Sequence, residues 1–192
     1  MLKKSLRTSK FKYWMESEIY QQPMVLADII RAYRENNDEI SIPESVKRVI
    51  VVASGSSYHC ARFAVDLLER ISGVETRAIY SSEFLLKSVI PHEEGTLYIF
   101  ITQSGETSDT NKALIKAKQS GLKTLCVTNK EDSTIWQASD YRISCHAGVE
   151  RSIAATKSLT SQMMCMTLLA LKFAQAKGIE TDYYLIQQHA RA

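Results

Sequence analysis

The sequence predicts an α/β protein, a three-layer α-β-α sandwich on a mostly parallel, doubly wound sheet of about five strands. Three observations carry that expectation. Apolar, β-branched runs at 47–53, 96–102 and 123–128 have the near-continuous hydrophobicity of strands covered on both faces. Segments with helical spacing of apolar residues separate them. Finally, the first two runs each lead into a hydroxyl- and glycine-rich turn, Ser54-Gly55-Ser56-Ser57 and Thr102-Gln103-Ser104-Gly105-Glu106-Thr107.

Residues 11–36 read as helical, with Trp14, Ile19, Val25, Ile29 and Ala32 on one apolar face and Pro23 marking a break or a second helix start. The strand at 47–53 follows, then a helix from Ser57 to Arg70 with Gly73 placed as its C-cap. Thr76–Tyr80 reads as a strand, Ser82–Lys87 as a short helix and Thr96–Thr102 as a strongly buried strand. Thr107 or Ser108 is a suitable N-cap for a helix running to Gln119 and closed by Ser120-Gly121. Lys123–Thr128 is a further strand, Ser133–Ser139 a short helix and Tyr141–Cys145 a last strand. Long helical segments at about 151–177 and 181–192 finish the chain, the apolar stretch Ser161–Ala174 forming a core helix. The organisation is thus a basic leader at 1–10, one domain at 11–177 and a helical extension or linker at 178–192.

Both turns have the chemistry of an anion cradle. Glycine lets the backbone approach closely, and a helix start offers unpaired N–H groups at its positive dipole end. Hydroxyls add donors, and Ser56, Ser57, Thr102, Ser104 and Thr107 are the natural ones. Gln103 and Glu106 are suited to the hydroxyl-rich part of a ligand. Right-handed crossovers bring the carboxyl ends of the 47–53 and 96–102 strands to one edge of the sheet, so both turns can hold one phosphate. Capping needs only one hydroxyl per helix start, and here there are several.

Competing sites fail on pattern. Ser54–Tyr58 has one glycine where a dinucleotide fingerprint needs three, and no GxxxxGK[ST] occurs. A G-x-S-x-G elbow is absent, and His59, His92, His146 and His189 have no metal-ligand spacing, so neither a metal nor a cofactor is expected. His59 stands apart as the residue that follows the first turn. The formal net charge of +3 is modest and its charges are interspersed, so nucleic acid is not the expected partner despite the basic residues Lys3, Lys4, Arg7, Lys10 and Lys12. Four scattered cysteines without CxxC spacing fit a reduced, cytoplasmic protein, and no run approaches the roughly twenty apolar residues of a membrane span.

The run Thr102-Gln-Ser-Gly-Glu-Thr-Ser-Asp-Thr110, with Ala-Ser-Gly-Ser-Ser-Tyr58 before it and Ile-Ala-Ala-Thr-Lys-Ser158 after it, resembles the sugar isomerase (SIS) domain family. It looks most like the first of the two SIS domains in the isomerase half of glutamine:fructose-6-phosphate aminotransferases. Glu18-Ile-Tyr-Gln-Gln-Pro23 and Ser82-Glu83-Phe84 match as well, so the likeness runs from about residue 11 to about 177. The resemblance implies that Thr102, Gln103, Ser104 and Thr107 hold a sugar phosphate, that Ser56 and Ser57 touch it, and that Ile153, Ala154 and Ala155 line the sugar. Thr102 stands where a serine is usual, Ser54 where a cysteine is usual, and Ala155 where many members have a serine.

The resemblance further implies that the proton-transferring residues of the aminotransferases lie mostly in a second SIS domain. The start Met1-Leu2-Lys3 lacks the nucleophilic cysteine of a glutaminase, and none is expected here. The expected function is binding of a fructose-6-phosphate or glucosamine-6-phosphate type sugar, as the N-terminal SIS half of an amino-sugar phosphate aminotransferase or isomerase. Pairing with a second SIS domain or with another copy would complete the site. A stand-alone oligomeric aldose-ketose isomerase is the alternative, with Glu106, His59 or Lys157 as acid-base candidates. A non-enzymatic phosphosugar sensor is the third reading.

Overall fold

The computed structural model describes residues 11–35, 40–43, 45–90 and 92–181. Helix α1 (Trp14–Glu35) precedes β1 (Arg48–Ala53), α2 (Ser56–Ser72), β2 (Glu75–Tyr80), α3 (Ser81–Leu86), β3 (Thr96–Thr102) and α4 (Ser108–Gln119). Then come β4 (Lys123–Thr128), α5 (Thr134–Ala138), β5 (Tyr141–Ser144) and α6 (Lys157–Ala176). The strands form one five-stranded sheet in the order β2-β1-β3-β4-β5, every neighbouring pair parallel. None of the described helices is long and apolar enough to cross a membrane.

Residues alternate between the two faces with the period of the strand. Val49, Val51 and Ala53 of β1, with Leu97, Ile99 and Ile101 of β3, pack under α1, α2 and α6. Ile50 and Val52, with Tyr98, Phe100 and Cys126, pack under α3, α4 and α5. The face that each helix takes follows from crossover handedness. The chain leaves β1 toward β2 in one direction and returns past β1 to β3 in the other, so α2 lies on one face and α3 on the opposite one. The later crossovers continue in that second direction and keep α4 and α5 beside α3. Helix α6 then returns to cover the face that α2 alone would leave open, and α1 packs against α6.

Sequence expectation and structure part at three places. Helix α1 runs unbroken through Pro23. Pro23 and Ile19, whose carbonyl the proline leaves without its helical donor, are both exposed, and Val25, Ile29 and Tyr33 anchor the helix beyond the proline. The expected apolar face also drifts: Trp14 and Ile19 are exposed, whereas Ser17 and Glu18 are buried. The first half of α1 faces a polar loop, so its inward side is polar. Finally, the segment expected as one helix from about 151 begins its helix at Lys157, leaving 151–156 as a loop. The helix expected at 181–192, like the leader at 1–10, falls outside the described residues except for Thr181.

Phe84 of α3 is fully buried, edge-on to Tyr98 at 5.8 Å and to Phe100 at 6.1 Å between ring centroids. It wedges the short helix α3 onto the sheet. Phe84→Ala is expected to cost about 3–5 kcal/mol of stability, measured by denaturant unfolding.

Candidate functional site

The sheet order reverses between β1 and β3, and ligands of doubly wound sheets collect at the carboxyl ends of such a pair. Ala53 of β1 lies opposite Ile101 of β3, so the loops leaving those strands start side by side. The first passes through Gly55 (φ 56°, ψ −136°), a backbone shape open mainly to glycine, straight into α2. Among the described residues, the N-cap residues Gly55 of α2 and Thr107 of α4 make no side-chain cap bond. Thr107 occupies the N-cap position of α4, yet its hydroxyl is bonded to that of Thr102 at 2.8 Å. Two helix starts therefore present uncapped N–H groups toward the same edge.

Gly105 shapes the second loop. Its φ is 68°, and a Cβ there would lie 2.0 Å from Ser133 Oγ. Its carbonyl accepts from Asn111 Nδ2 at 3.1 Å and from the Ile135 N–H at 3.3 Å. The next residue, Glu106, turns away to cap α5: its oxygens accept from the Thr134 N–H and the Thr134 hydroxyl, each at 2.8 Å. Those bonds, the backbone one foremost, hold its carboxyl below the ordinary glutamate value. A carboxylate committed in this way is a helix cap and a weak proton acceptor.

A third segment, 150–156, is held by two carboxylates. Glu18 of α1, 1% exposed, accepts from the Arg151 N–H at 2.5 Å, from the Ser152 N–H at 3.2 Å and from the Ser152 hydroxyl. Burial pushes its carboxyl up, but those donors and the nearby Lys157 charge outweigh burial and leave it below its ordinary value. Glu150 caps α6, accepting from the N–H groups of Thr156 at 3.0 Å and Ser158 at 3.1 Å and from both their hydroxyls. Arg151 lies 4.4 Å over the Trp14 ring. Lys157 is buried at the start of α6 and donates to Gln21 Oε1 at 2.8 Å. Burial lowers its pKa, and Glu18 and Glu150 pull it back only in part.

These three segments enclose a cavity of about 160 Å³ lined by Ser56, Ser57, Thr102, Gln103, Ser104, Thr107, Ala155, Ser158 and Gln162. The six residues expected at the phosphate thus meet at one place, with Ala155 beside them. Ile153 and Ala154 do not line the cavity; Ile153 is fully exposed at the tip of the loop. His59 is exposed on α2, and neither it, Glu106 nor Lys157 borders the cavity. Ser158 and Gln162, one turn apart on α6, were not singled out from the sequence as ligand-facing. The available signal was Gln162 as one of the polar interruptions, with Thr167, of the mostly apolar stretch Ser161–Ala174.

A larger recess of about 560 Å³, lined by Tyr33, Ile40, Leu168, Leu171 and neighbours, lies toward the other end of α6. It brings together mostly apolar groups and the edge of the described chain, without a cluster of hydroxyls. The four cysteines are buried free thiols, and Cys126 is pushed up to about 11 chiefly by burial.

Residues 44–172 match the SIS domain family model. The chain belongs to the SIS domain family. It is 36% identical over 189 residues to the glutamine–fructose-6-phosphate aminotransferase (isomerizing) of Shouchella clausii, covering 95% of this chain and 31% of that relative. The SIS chain described here therefore spans about a third of the length of the curated relatives it matches. Among solved structures, the C-terminal domain of glucosamine-fructose-6-phosphate aminotransferase from Francisella tularensis superposes with a TM-score of 0.84 at 30% identity, over 95% of this chain and 52% of that one. Tagatose-6-phosphate ketose/aldose isomerase from Escherichia coli shares the fold, with a TM-score of 0.65 at 23% identity over 85% of this chain and 48% of that one.

Within this SIS domain, two residues test how the loops are held. Gly105→Ala would combine a left-handed backbone with the contact to Ser133, and a loss of at least about 2 kcal/mol in denaturant unfolding is expected. For Glu18, whose folded pKa is depressed, the stabilisation is present above the ordinary carboxylate pKa and is lost as pH falls through the folded value. Glu18→Gln is expected to be less stable than wild type by about 1–3 kcal/mol near neutral pH. The gap should close on acidification below about pH 4, measured by unfolding across pH.

Proposed function

We propose that this SIS domain binds a sugar phosphate of the fructose-6-phosphate or glucosamine-6-phosphate type, with the phosphate in the cavity between the loops that follow β1 and β3. The observation that carries the reading is the convergence of Ser56, Ser57, Ser104 and Thr107 with two uncapped helix starts on a single small cavity. At about 160 Å³ the cavity is well below the about 300–1,000 Å³ of sites that enclose a drug-sized ligand. It suits the anionic head of a phosphosugar, with the rest of the sugar lying against the loop of Ile153 to Ala155. No metal or cofactor enters this reading.

The domain acts as the N-terminal SIS half of an amino-sugar phosphate aminotransferase or isomerase. Moving a proton between neighbouring sugar carbons needs a free base at the carbon and donors for the oxyanion. Among the described residues, Glu106 is spent as a cap, Lys157 is bonded to Gln21, and His59 faces solvent. This half then contributes orientation through the phosphate, while a second SIS domain brings the acid-base groups. The aminotransferase relative from Francisella tularensis supports this arrangement, since this fold fills 52% of its solved chain. The exposed apolar residues Tyr13, Met15, Ile19, Tyr20 and Met24 on and just before α1, together with Val149 and Ile153, offer a surface for such a second domain.

Calorimetric titration with fructose-6-phosphate and glucosamine-6-phosphate tests the reading. Ser104→Ala combined with Thr107→Ala removes two hydroxyl donors to a charged group, each worth about 1.5–3 kcal/mol. A loss of at least about a hundredfold in affinity is expected, with folding retained. Failure of the wild-type protein to bind either sugar, or undiminished binding by the double variant, would overturn it.

A further inference from the structure

The two walls of the cavity differ in hydrogen-bonding polarity. On the loop side, Ser104 Oγ accepts from the Glu106 N–H at 3.1 Å, which leaves its own proton for a ligand. Of the bonded hydroxyls of Thr102 and Thr107, one proton joins the pair and the other is left over. These groups, with the helix starts, suit an anion. On the α6 side the order is inverted. The Ser158 hydroxyl donates to Glu150 Oε2, so toward the cavity it can only accept. Gln162 lines the same cavity while 1% exposed, and its Oε1 is buried with no hydrogen-bond partner among the described residues.

A buried amide oxygen left unpaired costs about 1–3 kcal/mol, and native proteins seldom keep one without cause. A phosphate dianion cannot relieve it, because it brings no proton. Ala155, the remaining α6-side neighbour in the cavity, has only a methyl group as its side chain. An O–H carried by the ligand close to its phosphate would satisfy Gln162, with the Ser158 oxygen a second acceptor beside it.

The geometry points to an acceptor wall on α6, formed by Ser158 and Gln162, that reads a ligand hydroxyl beside the phosphate and so selects polyhydroxylated phosphomonoesters over plain alkyl phosphates. This rests on the phosphate assignment made above and adds to it a basis for discrimination. In a cavity of about 160 Å³, the phosphate and the first hydroxylated carbons fill the space, so the discrimination is made near the phosphate, away from the reacting end of the sugar.

A matched ligand pair tests it: glycerol 3-phosphate and propyl phosphate differ only by two hydroxyls. Titration of the wild-type protein is expected to favour glycerol 3-phosphate by about tenfold, the worth of one satisfied hydrogen bond. Gln162→Leu should bring that ratio to within about twofold while leaving propyl phosphate affinity unchanged, and should keep or raise the unfolding midpoint because it removes an unpaired buried group. Gln162→Asn, which retains the amide one methylene short, is the second variant should leucine perturb the fold, with the same loss of ratio expected. A wild-type protein that binds both esters equally overturns the inference and leaves the phosphate assignment standing. So does a Gln162→Leu ratio that matches wild type. A parallel loss for both esters would make Gln162 a donor to the phosphate and also overturn it. Binding of neither ester, nor of fructose-6-phosphate, would remove the phosphate assignment itself and this inference with it.

Discussion

The reversal of strand order between β1 and β3 is the constraint from which the candidate site follows. Every strand is parallel, so every connection is a crossover, and each crossover has one allowed hand. Where the direction of winding changes, the helix after β1 goes to one face and the helix after β3 to the other. No element of the winding itself covers the carboxyl ends of that strand pair. The two loops are left facing each other with helix starts behind them, and only residues that tolerate tight turns and exposed N–H groups fit there. Gly55 and Gly105 meet the first demand, and the serines and threonines around them meet the second.

The third side of the cavity is fixed by charge. Helix α6 begins with a buried lysine at its positive dipole end, a position that disfavours a cation. Glu18 and Glu150 offset that cost, and both also bind backbone N–H groups of the 150–158 segment. One set of interactions therefore neutralises Lys157 and shapes the loop beside the cavity. It also explains why α1 is part of the site although none of its residues lines the cavity. Through Glu18 to Arg151 and Ser152, Gln21 to Lys157, and Gln22 to Thr160, α1 holds α6 and its leading loop in place.

Strands β3 and β4 were legible in the sequence to the residue, because a strand buried on both faces leaves an unbroken β-branched run bounded by turn residues. That Ser56, Ser57, Thr102, Gln103, Ser104 and Thr107 share one cavity was legible because they cluster in two short motifs at neighbouring strand ends. What could not be read was set by contacts between distant segments. Glu18 and Arg151 are 133 residues apart, and nothing local to 151–156 announces that a remote carboxylate holds it out of the helix. The same partnership reverses the expected face of α1, burying Glu18 and exposing Ile19. Glu106 misleads in the opposite sense: beside a candidate phosphate loop it reads as a ligand group, yet the fold brings Thr134 under it. Gln162 was visible only as an interruption of apolar spacing, and its meaning depends on which wall of which cavity it joins.

On the proposed reading, binding and chemistry are separated within the substrate. The loops grip the phosphate through hydroxyls already engaged in internal bonds before any ligand arrives: Ser104, which accepts from the Glu106 N–H, and Thr102 paired with Thr107. Such preorganisation lowers the entropic cost of ordering donors around an anion. Among the described residues, the carboxylates beside these loops, Glu106 and Glu150, are likewise already bonded to backbone and hydroxyl groups. A domain built this way gains affinity and orientation at the cost of reactivity. On that reading, the same bonds that make the phosphate end rigid leave the acid-base groups to a second domain.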